Sequence, residues 1–139
     1  MGGYISPDFI VKAGRPGSGK TSNMLCEVLH AVVVEEKTVL VLSLEMTKIQ
    51  LMAKLIAVQA EIPLNSILKG TMNTEEWEKF HLAASFLETD NLIIVDDIYT
   101  LNSITNKAKK TKLKQGLDIM FVDYLQLITL DNNSKNNRE

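Results

Sequence analysis

Apolar positions in this chain alternate between short β-branched runs and longer stretches with helical spacing. Residues 9–13 (Phe-Ile-Val-Lys-Ala) form a brief, mostly apolar run closed by Gly14, which predicts a buried strand followed by a turn. Over residues 21–34, Met24, Leu25, Val28, Leu29, Val32 and Val33 recur with helical period, with Glu27, His30 and Glu35 between or beyond them. Residues 38–43 (Thr-Val-Leu-Val-Leu-Ser) are apolar on both faces, as strands of a covered parallel sheet are. Thr47 with Gln50 three residues on predicts a capping box that opens a helix over 47–60, ended by Pro63. A helical turn is expected over 64–68, closed by Gly70. Asn73 and Glu76 repeat the capping pattern ahead of a helix whose stripe runs through Trp77, Phe80, Ala84 and Leu87. Residues 92–95 predict a third strand leading into Asp96-Asp97. Residues 102–115 predict a lysine-rich helix stopped by Gly116, and 119–122 a fourth strand ending at Asp123.

Strands alternating with helices over the whole length predict an α/β fold, a parallel sheet with helices on both faces. Residues 1–130 are expected to form one domain. The Asn-rich residues 131–139 are expected to be a disordered tail. At 139 residues, 45% hydrophobic and 23% charged with a net charge of −2, the chain can bury a core and is not of disordered composition. A single Cys excludes a disulfide framework. The longest apolar runs fall far short of the roughly 18 residues of a membrane span. Without a basic and apolar leader after Met1, a cytoplasmic location with no membrane partner is expected. The near-neutral charge argues against indiscriminate coating of nucleic acid.

The strongest chemical signal is Gly14-Arg15-Pro16-Gly17-Ser18-Gly19-Lys20-Thr21, a complete G-x-x-x-x-G-K-[ST] phosphate loop between a predicted strand and a predicted helix. Its glycines let successive backbone N–H groups converge on phosphate oxygens, and the helix start adds its positive dipole. Lys20 is the residue to reach the β- and γ-phosphates, and the Thr21 hydroxyl to ligate Mg²⁺. The plain alternative, a glycine-rich turn without a ligand, leaves Lys-Thr at the helix start unexplained. A phosphate loop needs an acid for its metal, and Asp123 closes an apolar strand where ligands of open α/β sheets gather. Asp96 and Asp97 end a similar run, and spacing alone does not choose between the two strands. Glu45, just past the second strand, is placed either to polarise an attacking water or to favour the dipole of the next helix.

Other tempting residues carry less. Lys107, Lys109, Lys110, Lys112 and Lys114 circle their helix without aromatic neighbours, which fits a solvated face better than a nucleic-acid track. Trp77 and Phe80 read as core, Cys26 as a small buried hydrophobe, and His30 and His81 lack metal-ligand partners. Tyr124 and Gln126 gain no role from spacing.

Taken in order, Gly2-Gly3, GRPGSGKT (14–21), LSLEMTKIQL (42–51), the Ile62-Pro63-Leu64 turn, NTEEWEKF (73–80), IIVDD (93–97) and FVDYLQL (121–127) resemble the ATPase domain of DnaB-type replicative helicases, members of the RecA-like P-loop ATPases. The resemblance spans nearly the whole chain, with Gly17-Ser18 standing where many members carry Ser-Met. It implies a RecA-like core using ATP and Mg²⁺, with Lys20 and Thr21 on the phosphates and metal, Glu45 as the catalytic glutamate and Asp123 as the Walker B acid. In complete members, hydrolysis between subunits of a hexameric ring drives movement along single-stranded DNA and unwinding. The family's γ-phosphate-sensing Gln, its DNA-tracking loops, its arginine finger and its N-terminal collar and linker helix have no counterpart in these 139 residues. The sheet is therefore expected to lack its later strands, leaving 9–13 and 119–122 with unpaired edges or paired with each other. An isolated chain of this kind is expected to be poorly stable or aggregation-prone. An arginine finger is worth roughly 10³–10⁵ in rate, so very slow hydrolysis is expected without one. A rival expectation is a non-catalytic nucleotide-binding fragment that docks on a full-length ring and poisons it.

Overall fold

In the computed structural model, which describes residues 8–15 and 17–130, the run Val39–Ser43 is a strand, β1, with every residue buried. It is flanked by β2 (Leu92–Val95) and β3 (Ile119–Asp123) in the order β2-β1-β3, both parallel to it. Among the described residues, the α-helices that connect and cover the sheet are α1 (Lys20–Leu29), α2 (Lys48–Ala60), α3 (Leu64–Lys69), α4 (Thr74–Leu87) and α5 (Leu101–Gln115).

The period-2 geometry of β1 divides the core in two. Val39 and Val41 pack with Met24, Leu25 and Val28 of α1, with Leu51 and Leu55 of α2, and with Ala83 and Leu87 of α4. Leu40 and Leu42, one residue out of phase, join Val95 and Ile104 against α5. An apolar run without alternation thus becomes the middle layer of a three-layer α/β domain, as the sequence predicts.

Local signals set most boundaries. Thr47 Oγ1 accepts from Gln50 N while Gln50 Oε1 accepts from Thr47 N, and Asn73 and Glu76 do the same at α4, so both capping boxes form. Gly70 follows α3 and Gly116 follows α5 with φ of 65° and 83°, a region closed to most side chains. Thr100 caps α5 through Ser103 N.

Four expectations are corrected. Residues 9–13 are not a strand, and Phe9 is 83% exposed. A strand needs a neighbour: β3 pairs with β1 on one side, and its other edge carries no strand among the described residues. The helix expected over 21–34 is α-helical only to Leu29 and continues as a π-turn, His30–Val34, in which Glu35 N reaches His30 O. Cys26 is exposed, because the buried face of α1 passes through Met24, Leu25, Val28 and Leu29. Trp77 is 41% exposed, edge-on to Phe80 and stacked on His81, whereas Phe80 packs on the core. Pro16 and the expected tail, 131–139, lie outside the described residues. Among the described residues no helix is long and apolar enough to cross a membrane.

Candidate functional site

The C-terminal ends of β1 and β3 and the N-terminal end of α1 meet at the phosphate-loop motif. Ser43 and Asp123 are register partners, and Leu44 N extends the ladder by donating to Asp123 O at 2.8 Å. Asp123, half-buried at the strand end, accepts a hydrogen bond from the Thr21 hydroxyl on its Oδ2 at 3.0 Å. This contact joins residues 102 positions apart and closes the loop motif onto the acid.

The loop itself is shaped by its glycines. Gly17 and Gly19 sit at φ of 76° and 83°. At Gly14 the limit is space, since a Cβ there would lie 2.6 Å from Ser18 Oγ. Ser18 N donates to Arg15 O at 3.1 Å, tightening the turn. The Lys20 ammonium donates to Gly14 O at 2.6 Å and to Arg15 O at 3.3 Å, so it lies folded against the loop backbone. Gly19, the residue before α1, provides no side-chain cap, which leaves early N–H groups of that helix for another acceptor.

These residues fit a magnesium nucleotide. One hydroxyl and one carboxylate held together are hard oxygen donors of the kind Mg²⁺ takes alongside phosphate oxygens and water. Among the described residues no three His, Cys, Asp or Glu side chains gather as a self-sufficient metal site. Such a pair would therefore act together with a phosphate ligand rather than alone.

The rival acids are separated by β1. Asp96 ends β2 on the far side of that strand, and its Oδ2 accepts from Lys48 N at 2.6 Å, at the first turn of α2. It is a helix cap, the plain reading available to a carboxylate after a strand. Asp97 is exposed beside it. Glu45 lies two residues beyond Ser43, outside the first turn of α2, so it does not serve that helix as a dipole partner. It is exposed and lines an open cleft of about 320 Å³ with Met46, Gln50, Lys54, Leu64 and Leu68.

One neighbour of the loop has no part in the sequence reading. The Lys12 ammonium pairs with Glu27 Oε1 and donates to Asn23 Oδ1 at 3.0 Å, tying the segment ahead of the loop to α1. The available signal was a lysine within an otherwise apolar run, which must find a partner or face water.

Comparison with known proteins agrees with this geometry. The profile of the DnaB-like helicase C terminal domain matches residues 1–139. The replicative DNA helicase DnaC of Bacillus subtilis is 30% identical over 138 residues, covering 99% of this chain and 30% of that protein. The replicative DNA helicase DnaB of Geobacillus stearothermophilus is 32% identical over 139 residues, again 99% of this chain and 30% of its own length. Among solved structures, a DnaB-like replicative helicase described with its primase interactions superposes with a TM-score of 0.73 at 29% identity, covering 89% of this chain and 30% of that one. A second solved structure, an isolated ATPase domain, gives 0.74 at 29% identity, covering 89% and 44%. The chain thus spans about 30% of the length of the two curated relatives.

Proposed function

From the premise that this chain belongs to the DnaB-like helicase C-terminal domain family, we propose that it is the ATP-binding core of a replicative DNA helicase. The observation that carries the reading is the hydrogen bond from Thr21 to Asp123, which couples the phosphate loop to a Walker B acid. The loop N–H groups and the start of α1 receive the phosphates. Lys20 exchanges the Gly14 and Arg15 carbonyls for β- and γ-phosphate oxygens. Thr21 and Asp123 hold the cation, directly or through its water shell. Bound Mg²⁺ supplies charge neutralisation for the transferring phosphoryl group. Glu45, past the end of β1, orients the attacking water and accepts its proton.

In the complete protein, hydrolysis at this site is coupled to translocation on single-stranded DNA and duplex unwinding, with neighbouring subunits of a hexameric ring completing each site. The test is titration of the chain with a fluorescent ATP analogue, with and without Mg²⁺, beside turnover measurements. Magnesium-dependent binding is expected, and Lys20→Ala should weaken it by about 100-fold or more. Equal binding by both proteins would sink the assignment. Turnover stimulated by single-stranded DNA and abolished by Lys20→Ala supports an enzyme. Binding without turnover, even beside a full-length ring, favours the fragment that docks and poisons.

A further inference from the structure

Residues 8–13 lead into the phosphate loop without the support of a strand. Phe9, Ile10 and Val11 are 83%, 47% and 63% exposed, so packing holds them weakly. What anchors the segment is Lys12. Its ammonium reaches Asn23 and Glu27, which lie four residues apart on one side of α1. Lys12 stands two residues before the motif opens at Gly14, and Asn23 two residues after it closes at Thr21. One side chain therefore bridges both ends of the loop from outside it.

From this arrangement we infer that Lys12, with Asn23 and Glu27, is a positioning clamp for nucleotide binding. The inference rests on the nucleotide reading above and deepens it. Without phosphate, the loop is already cross-linked from inside by Lys20 on the Gly14 and Arg15 carbonyls. Phosphate claims the Lys20 ammonium and removes that internal cross-link. The Lys12–Glu27 pair does not compete for phosphate, so it holds the loop mouth when Lys20 has turned away. Its effect is consequently larger on the nucleotide-bound state than on the free one, which is what makes it a determinant of affinity. The pair is suited to this task by its surroundings. The side chains of Lys12 and Glu27 are 42% and 24% exposed, so water screens the pair only in part. The other carboxylate oxygen of Glu27 is buried without a hydrogen-bond partner, so removing the ammonium leaves a charge with little else to stabilise it.

The test titrates the full chain with a fluorescent ATP analogue in Mg²⁺ and melts each variant without nucleotide. Lys12→Met, which keeps the apolar stem, should weaken binding about tenfold, and Glu27→Gln should act in the same direction. The nucleotide-free melting temperature should fall by no more than about 3 °C. The exchanged pair, Lys12→Glu with Glu27→Lys, should return affinity to within about threefold of the original. Asn23→Ala, which removes one hydrogen bond at an exposed position, should weaken binding about threefold and decides the matter if Lys12→Met does not fold. Unchanged affinity in these variants, with binding still lost in Lys20→Ala, overturns the clamp and leaves the nucleotide site standing. A loss that tracks the nucleotide-free melt and is not recovered by exchange overturns it as well, in favour of a purely structural pair. Absence of binding by the unaltered chain removes the nucleotide reading and the clamp with it.

Discussion

Leu-Ile-Ile-Val-Asp (92–96) and Ile-Met-Phe-Val-Asp (119–123) are near equivalents, four apolar residues and a carboxylate, and they flank the same central strand in parallel. Their acids nevertheless have different partners. Asp123 meets the Thr21 hydroxyl, whereas Asp96 meets the backbone N–H of Lys48 at the start of α2. The difference lies in the side of β1 on which each strand sits. β3 ends beside the phosphate loop, and β2 ends beneath α2. A strand–acid motif therefore places a carboxylate at the functional rim of a parallel sheet without choosing its work. Sheet order makes that choice.

The largest test of this contrast is Asp123→Asn, which keeps the shape and removes the charge. The Mg²⁺-dependent part of ATP-analogue affinity should fall by about 100-fold, with little effect on binding measured without Mg²⁺. Retained magnesium dependence would move the metal role away from β3. Asp96→Ala should do the reverse, leaving nucleotide affinity intact and costing about 1 kcal/mol through the lost helix cap, seen as a fall of about 3–6 °C in melting temperature. A nucleotide defect in this variant with no stability loss would reverse the assignments of the two acids.

The smallest effect belongs to a carboxylate far from either strand end in sequence. Glu75, on the first turn of α4, pairs with Lys79 one turn on at 2.7 Å, and the Lys79 hydrogen bond and charge lower its pKa from 4.5. Because the folded-state value is depressed, the pair's contribution is present above pH 4.5 and is lost as the pH falls through the lowered value. Melting curves of the unaltered chain and Glu75→Gln should differ slightly at pH 7 and converge in acid. The pair is fully solvated, so this should be the weakest effect of the series. A gap that widens in acid would contradict the direction of the shift.

Much of this was legible beforehand because it depends on neighbours in sequence. The capping boxes at Thr47 and Asn73 each need two residues three apart, and both form where the spacing places them. The unbroken apolar run of β1 announced burial on two faces. The phosphate loop was complete as a motif, and its context was half right: α1 follows it, but the strand expected ahead of it does not form. That failure is physical. Residues 9–13 have strand composition, yet a strand is stabilised by an adjacent strand, and composition cannot say whether one is present. Cys26 and Trp77 failed for a related reason, since a small error in the angle of a helical stripe carries a residue from core to water.

By itself the sequence determined the local elements, the phosphate-loop chemistry and the family pattern, all of which rest on short-range spacing and residue type. Only the tertiary structure decided which acid faces Thr21, that Asp96 serves as a cap, and that Lys12 bridges the two ends of the loop. Each of those depends on strand order or on a contact between segments distant in the chain. Such contacts exist only after the core has brought those segments together.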